Sequence, residues 1–235
     1  MLILAVDTTA TVGSVSLVRD KKILCEYTVN AGNTHSVTLL PMIENMLKIT
    51  DTDLSDVDMF AASVGPGSFT GVRIGCAALK GLAISSDKPC VGVSTLEALA
   101  YNLSDHEGII CPCMNARRGQ VYTALFESTK DGIKRLTPDM AISIEELEGM
   151  LSDFENCVHF CGDGYFLVSH LSENKTSERL TLQSAASVAL VAEKLYEGAE
   201  DKSVFTSAAL NPTYLRKPQA EREREERLKA EAQEN

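Results

Sequence analysis

The chain has 235 residues, a hydrophobic content of 44% and a formal net charge of −11. This length can bury a substantial core in one large domain or two small ones. The average field of so acidic a protein repels a polyanion, which argues against a protein that binds RNA alone and favours a partner that supplies basic surface. No apolar run reaches the roughly 18 residues that span a bilayer, and no basic leader precedes the first strand-like run. We therefore expect a cytoplasmic protein without membrane contact.

The seven cysteines contain no Cys-x-x-Cys pair, and their odd number argues against a disulfide framework. Cys157, His159 and Cys161 alternate along a predicted strand, so their side chains would share one face. Two thiolates and an imidazole could hold zinc, although no fourth ligand lies nearby in the sequence. The alternative is that these are small buried side chains, and on that interpretation we predict no metal site.

Apolar runs in the first half predict a three-stranded meander followed by alternating helices and strands. The predicted strands cover 2–6, 13–18, 23–29, 57–64 and 90–93, and the predicted helices cover 35–49, 70–85 and 95–103. A meander followed by such αβ units is typical of a mixed sheet covered by helices, the RNase H-like arrangement shared by sugar kinases, actin and their relatives.

The same pattern recurs after a polar break at 104–108. Strands are predicted at 109–114, 120–127, from 133 and at 157–161, with a helix starting at a Ser143–Glu146 capping box and a last helix at 184–197. We predict the α/β class, with mixed sheets covered by helices in two RNase H-like domains at 1–104 and 105–217, the second smaller. Residues 218–235 are almost wholly charged and are interpreted as a solvated helical tail.

The segment Gly65-Pro66-Gly67-Ser68-Phe69-Thr70-Gly71 joins a predicted strand to a helix. Such a turn aims the amides at the start of a helix toward an anion or a partner. Both the P-loop and the dinucleotide-binding pattern need a glycine where this chain has Thr70. Two interpretations stay open: a rigid shaped turn, which Pro66 favours, and direct nucleotide contact through Gly67 and Ser68.

Asp7 ends the first predicted strand, where a carboxylate can hold a metal–nucleotide complex or position water, and Thr8 and Thr9 could bind phosphate. The alternative is that Asp7 caps a turn and the threonines satisfy backbone groups. Asp163 is the best second carboxylate, with a plain Asp-Gly turn as its alternative. Two arginines on a predicted hairpin suit a phosphate or a partner carboxylate, or form a solvated turn. The candidate contacts to nucleotide or phosphate are Asp7, Thr8, Thr9, Gly67, Ser68, Arg117 and Arg118.

Two first-half helices carry more apolar or small surface than one buried stripe requires. The helix at 35–49 begins at His35, with Thr34 as its interpreted N-cap, and the helix at 70–85 carries Gly71 and Gly75, which permit close approach of a neighbouring helix. This predicts a helix-bundle interface with a partner; the alternative is that both helices are covered within the chain. The predicted interface residues are His35, Leu39, Leu40, Ile43, Met46, Leu47, Arg73, Ile74, Ala77 and Ala78.

Several of these segments together resemble the TsaB (YeaZ) family. They are Ile3-Leu4-Ala5-Val6-Asp7-Thr8-Thr9, His35-Ser36 with Leu39-Leu40-Pro41, the segment from Gly65 to Gly75, the segment from Gly92 to Ala100, Ala116-Arg117-Arg118-Gly119 with Val121-Tyr122, and Pro212 with Tyr214-Leu215-Arg216. The resemblance runs from the first strand to Arg216 and is most specific in the first domain. The family pattern has Asp and Glu where this chain has Asn115 and Gln120, which puts a specific role of the two arginines in doubt.

The resemblance implies that the two RNase H-like domains belong to the actin-like ATPase superfamily. It also implies a noncatalytic subunit required to form threonylcarbamoyladenosine beside the anticodon of tRNA. It implies pairing with a catalytic TsaD-type homologue through the two helices, cooperation with a TsaE-type ATPase, and a homodimer through the same surface when alone. Contact with tRNA would come only through the complex, and ATP or ADP would bind, if at all, at an interface with partners. The paired metal-binding histidines of TsaD are missing from this sequence. The alternative function is an independent ATP-dependent kinase or hydrolase of the actin-like fold.

Overall fold

The computed structural model describes residues 1–84, 86–152, 154 and 158–216. The meander is formed by β1 (Leu2–Asp7), β2 (Gly13–Arg19) and β3 (Lys22–Val29), followed by α1 (His35–Ile49), β4 (Met59–Gly65), α2 (Phe69–Ala83), β5 (Cys90–Ser94) and α3 (Thr95–Tyr101). The first sheet has the order β3-β2-β1-β4-β5, with β1 and β2 antiparallel and β1, β4 and β5 parallel. This is the RNase H-like topology that the element order predicts.

The second half contains β6 (Gly108–Arg117), β7 (Gln120–Thr123), β8 (Phe126–Thr129), β9 (Gly132–Arg135), β10 (Met140–Ser143), α4 (Ile144–Leu151), β11 (Val158–Cys161), α5 (Tyr165–Val168), α6 (Glu178–Thr181) and α7 (Ala185–Gly198). Strand β6 pairs with β7 and β8 antiparallel and with β11 parallel. On their outer edges, β7 pairs with β10 and β8 pairs with β9, both antiparallel. The second sheet therefore repeats the meander and one parallel strand of the first.

The single strand predicted over 120–127 is wrong. It is interrupted at Ala124 and Leu125, although β7 and β8 keep one register against β6. The Leu125 amide donates to Thr137 Oγ1 at 2.8 Å and its carbonyl accepts from the Leu136 amide at 2.8 Å. These bonds hold Leu125 against residues 136 and 137, which connect β9 to β10. The capping box is confirmed, because Ser143 and Glu146 exchange hydrogen bonds of 2.7 and 3.1 Å at the start of α4.

Strand β1 is buried on both faces because helices cover both sides of the first sheet. Leu2, Leu4 and Val6 pack toward α1 and α2, whereas Ile3 and Ala5 pack toward α7. This explains why the strand reads as a continuous apolar run. Helix α3 supplies a third apolar layer, which packs on the second sheet and so joins the two halves.

The chain returns to the first sheet near its end, although we expected residues 105–217 to form the second domain. Helix α7 packs on the first sheet. Beyond it, the Phe205 carbonyl accepts from the Cys90 amide at 3.0 Å, and the Thr213 amide donates to Val64 O at 2.7 Å. The physical reason is that the sheet face opposite α1 and α2 needs an apolar cover, which α7 provides together with Ala98 of α3.

Three predictions lie partly or wholly outside the described residues: the end of the helix at Ser85, the ligand set that includes Cys157, and the tail at 218–235. The described cysteines are free thiols. In the described ranges, no group of three or more His, Cys, Asp or Glu side chains could hold a metal ion, and no helix there is long and apolar enough to cross a membrane.

Candidate functional site

A cleft of about 600 Å³ lies between the two halves of the protein. Its walls come from the end of β1, the Gly-rich turn before α2, the β6–β7 hairpin and the C-terminal residues 214–216. The residues that line it are Thr9, Ala10, Thr11, Pro66, Gly67, Ser68, Phe69, Thr70, Met114, Asn115, Ala116, Arg117, Tyr122, Asp163, Tyr214, Leu215 and Arg216. The structure therefore brings four of the predicted nucleotide contacts together, namely Thr9, Gly67, Ser68 and Arg117, with Asp163 beside them.

Asp7 lies behind this wall, with 1% of its surface exposed. Its carboxylate accepts three hydrogen bonds: from the Thr9 amide at 2.9 Å, from Thr9 Oγ1 at 2.7 Å and from Ser63 Oγ at 2.5 Å. Burial raises the pKa of Asp7 above its ordinary range. The two bonds from Thr9 have the geometry of the turn-capping alternative, and the bond from Ser63 ties the end of β1 to β4.

Thr8 is also turned inward, and it explains the glycines of α2. Its hydroxyl donates to Gly71 O at 2.7 Å, and a β-carbon at Gly71 would overlap the Thr8 carbonyl oxygen, while one at Gly75 would lie 2.5 Å from Thr8 Oγ1. Gly67 is held against Thr9 in the same way. We expected Gly71 and Gly75 to admit a neighbouring helix; instead they let α2 pack on the end of β1.

Ser68 begins α2 as its N-cap. Its hydroxyl accepts from the Gly71 amide at 3.2 Å, and its own amide donates to Thr9 O at 2.6 Å. The amide and the hydroxyl oxygen of Ser68 thus each make a hydrogen bond within the protein. The Gly-rich segment is built as a shaped turn, fixed on one side by β1 and on the other by the helix that it starts.

The opposite wall is the β6–β7 hairpin. Arg117, Arg118 and Gly119 have φ angles of 62°, 55° and 70°, which place the whole tip in the left-handed region. Asn115 Oδ1 accepts from the Arg117 amide at 2.8 Å, and the Asn115 amide donates to Asp163 Oδ1 at 3.1 Å. The cleft walls desolvate the Asp163 carboxylate and raise its pKa, although the side chain stays open to the cleft.

The two departures from the family pattern keep an acceptor at each position. Asn115 Oδ1 accepts from the backbone amide of Arg117 in the hairpin. Gln120 Oε1 accepts from the guanidinium of Arg216, and the same guanidinium donates to Ala116 O at 3.4 Å. Arg216 and Tyr214 also line the cleft, although we predicted no site role for them. The only available signal was their place in the Pro212–Arg216 motif, because their contacts are made with residues far away in the sequence.

The outer face of α1 and α2 is smaller than predicted. Three predicted interface residues point into the core: Leu39, Ile43 and Met46 are 2%, 3% and 0% exposed. They are corrected to core positions, because α1 needs them to cover the sheet. The exposed predicted residues are Leu40, Arg73 and Ala77, and the half-buried ones are His35, Leu47, Ile74 and Ala78.

The start of α1 also differs from its prediction. Thr34 occupies the N-cap position, but its side chain makes no capping hydrogen bond. His35 Nε2 instead lies 2.7 Å from Ala10 O, in the loop after β1. A bond to the β1 loop gives this histidine a positioning role at the cleft side of the helix.

Comparison with known proteins identifies the family. The model of the family described as "TsaD: tRNA N6-adenosine threonylcarbamoyltransferase" matches residues 29–224. The chain is 33% identical to the tRNA threonylcarbamoyladenosine biosynthesis protein TsaB of Bacillus subtilis (strain 168), over 94% of this chain and 96% of that protein. The chain belongs to the TsaB family. Its likeness to solved structures includes YeaZ from Pseudomonas aeruginosa, with a TM-score of 0.75 and 25% identity over 91% of this chain and 99% of that one.

The chain also shares a segment with the TsaD type. It is 37% identical over 79 residues to the tRNA N6-adenosine threonylcarbamoyltransferase of Erythrobacter litoralis (strain HTCC2594), which covers 33% of this chain and 23% of that protein. The similarity to the TsaD type is therefore limited, in this match, to one segment of about a third of this chain.

Proposed function

We propose that this chain is a noncatalytic subunit required for threonylcarbamoyladenosine formation on tRNA, at the adenosine next to the anticodon. The observation that carries the proposal is the similarity to TsaB of Bacillus subtilis, which extends over 96% of that protein. The geometry agrees with a supporting role. The Asp7 carboxylate, which an enzyme of this fold would need at its cleft, accepts three hydrogen bonds from its own surroundings.

The proposed partner is a catalytic TsaD-type homologue, which pairs with the outer face of α1 and α2. Val37 and Leu40 on α1 are 68% and 52% exposed, and Arg73 and Ala77 expose the neighbouring face of α2. Large apolar side chains exposed beside small residues favour a helix-to-helix contact. A homodimer would use the same face, so homodimer and heterodimer would exclude each other.

The remaining parts of the proposed complex follow from charge and from the cleft. With a net charge of −11, the chain would meet tRNA only through basic surface on its partners. A TsaE-type ATPase would complete the complex. ATP or ADP would bind where a partner closes the cleft near Ser68 and Arg117, rather than to the isolated chain. We place this assembly in the cytoplasm, where its tRNA substrate is modified.

The deciding experiment is reconstituted threonylcarbamoylation of tRNA. Purified TsaD-type and TsaE-type proteins would receive the threonylcarbamoyl adenylate and tRNA, with and without this chain. We expect modification only when the chain is present. Equal modification without it would overturn the proposal.

The rival function, an independent ATP-dependent kinase or hydrolase, is tested separately. ATP turnover by the isolated chain would be measured for the wild type and for Asp163→Asn, which removes the carboxylate that lines the cleft. Turnover that the substitution abolishes would favour the rival function. We expect no turnover in either sample above that of a heat-inactivated control.

A further inference from the structure

A second, shallower groove of about 350 Å³ lies on the outer face of α2. Its other wall is the C-terminal strap, which we define as residues 205–216. The groove is lined by Arg73, Cys76, Ala77, Lys80, Pro212 and Tyr214. Arg73 and Lys80 are seven residues apart on α2 and therefore share one face, with Ala77 between them.

The strap holds both cations in place. Arg73 Nε donates to the Tyr214 hydroxyl at 2.7 Å, and its guanidinium lies 3.8 Å from the centre of the Phe69 ring, which stacks on Tyr214 at 4.6 Å. The Lys80 ammonium donates to Asn211 Oδ1 at 2.8 Å. Ordering by aromatic and amide groups reduces the conformational entropy that these long side chains would lose on binding.

All of these holding groups are neutral. Among the described residues, no carboxylate lies within ion-pair distance of Arg73 or Lys80. Arg73 uses only Nε for Tyr214, and Lys80 carries three donors, so both cations retain capacity for a further acceptor. Two ordered cations without a local carboxylate stand out in a protein whose net charge is −11.

We propose that this groove binds an acidic side chain on a helix of the TsaD-type partner, placed over Ala77 between the two cations. The small Ala77 side chain leaves room there, and the groove continues the exposed face of α2 that the proposed interface uses. A carboxylate fits the charge of the groove, and the aromatic wall fits the aliphatic part of a glutamate. This inference rests on the proposed function and adds two elements to it: the chemistry of the partner's contact and a role for the strap.

The test measures the affinity of the TsaD-type partner for full-length variants of this chain by titration calorimetry at two salt concentrations. The main variants are Lys80→Gln and Lys80→Glu. The matched control is Lys130→Glu, whose side chain is 89% exposed in the turn between β8 and β9. We expect Lys80→Gln to weaken binding by about five- to tenfold and to reduce its salt dependence, Lys80→Glu to weaken it further, and the control to stay within about twofold. Binding of Lys80→Glu that equals the control would overturn the inference.

A second measurement does not depend on substitution. A carbodiimide joins lysine amines to carboxylates in contact, so the wild-type complex would be treated with it, digested and analysed by mass spectrometry. We expect a crosslink between Lys80 and an Asp or Glu of the partner, and its absence beside other crosslinks between the subunits would contradict the groove. Wild-type chain that does not bind the partner at all would instead refute the proposed function.

Discussion

Replacing Gly71 by alanine should destabilise the protein although alanine is the better helix former. A β-carbon there would overlap the Thr8 carbonyl oxygen and lie 3.1 Å from its carbonyl carbon, so α2 must move away from β1. The shift strains the packing and weakens the Thr8 hydroxyl bond to Gly71 O and the Ser68 cap. Against a helix-propensity gain of about 1 kcal/mol, we expect a net loss of about 2–4 kcal/mol in the free energy of unfolding.

The same helix offers a matched control in Gly81. It is exposed, and a β-carbon there would meet nothing within 4 Å, so Gly81→Ala should stabilise by about 0.5–1 kcal/mol. Urea unfolding of both variants, followed by circular dichroism, measures the two free energies. If both substitutions change the stability in the same direction, the account of Gly71 as a contact glycine is wrong.

Four further substitutions test the helix face, the buried carboxylate and the hairpin. Leu39→Glu should lower the free energy of unfolding by about 3–5 kcal/mol, because it puts a carboxylate in the core. Leu40→Glu should lower it by less than about 0.5 kcal/mol, yet it should block pairing with a second subunit as measured by light scattering. Normal pairing by Leu40→Glu would refute the proposed interface on the outer face of α1 and α2. Because burial raises the pKa of Asp7, the stability of the wild type relative to Asp7→Asn should be highest below about pH 4 and should fall as the pH rises. A flat difference in urea unfolding between pH 4 and 8 would contradict it. Gln120→Glu should raise the free energy of unfolding by about 0.5–1 kcal/mol through an ion pair with Arg216, and salt should reduce this gain. An unchanged midpoint of urea unfolding would argue against the contact between residue 120 and Arg216.

The first sheet could be predicted from the sequence because its signals are local. Strand β1 is an unbroken apolar run, and α1 begins and ends where its apolar pattern does. In the second half, the Ser143–Glu146 capping box likewise marks the start of α4. Sequence period and capping chemistry fix such elements before tertiary contacts form. The break in the strand at Ala124 and Leu125 had no such signal, since the two bonds that cause it come from residues 136 and 137.

The site was less predictable because its residues are placed by contacts between distant segments. The apolar pattern of α1 could not show which residues face the sheet, so Leu39 and Leu40 had equal standing although one is 2% and the other 52% exposed. The cleft wall formed by Arg216 depends on Gln120 and Ala116, about one hundred positions earlier. The family resemblance included Tyr214 and Arg216 among its motif residues, but it did not indicate which part of the fold they contact.

The strap joins the two candidate surfaces of this protein. Tyr214 lies in the wall of the cleft and also in the groove on α2, and Arg216 reaches the β6–β7 hairpin. On the proposed function, a partner helix bound at Arg73 would act on Tyr214 and, through Leu215 and Arg216, on the hairpin that carries Arg117. Coupling between sites needs such a physical connection and a differential contact in the bound state. In the proposed complex, binding of the partner at the groove would thus change the shape of the cleft.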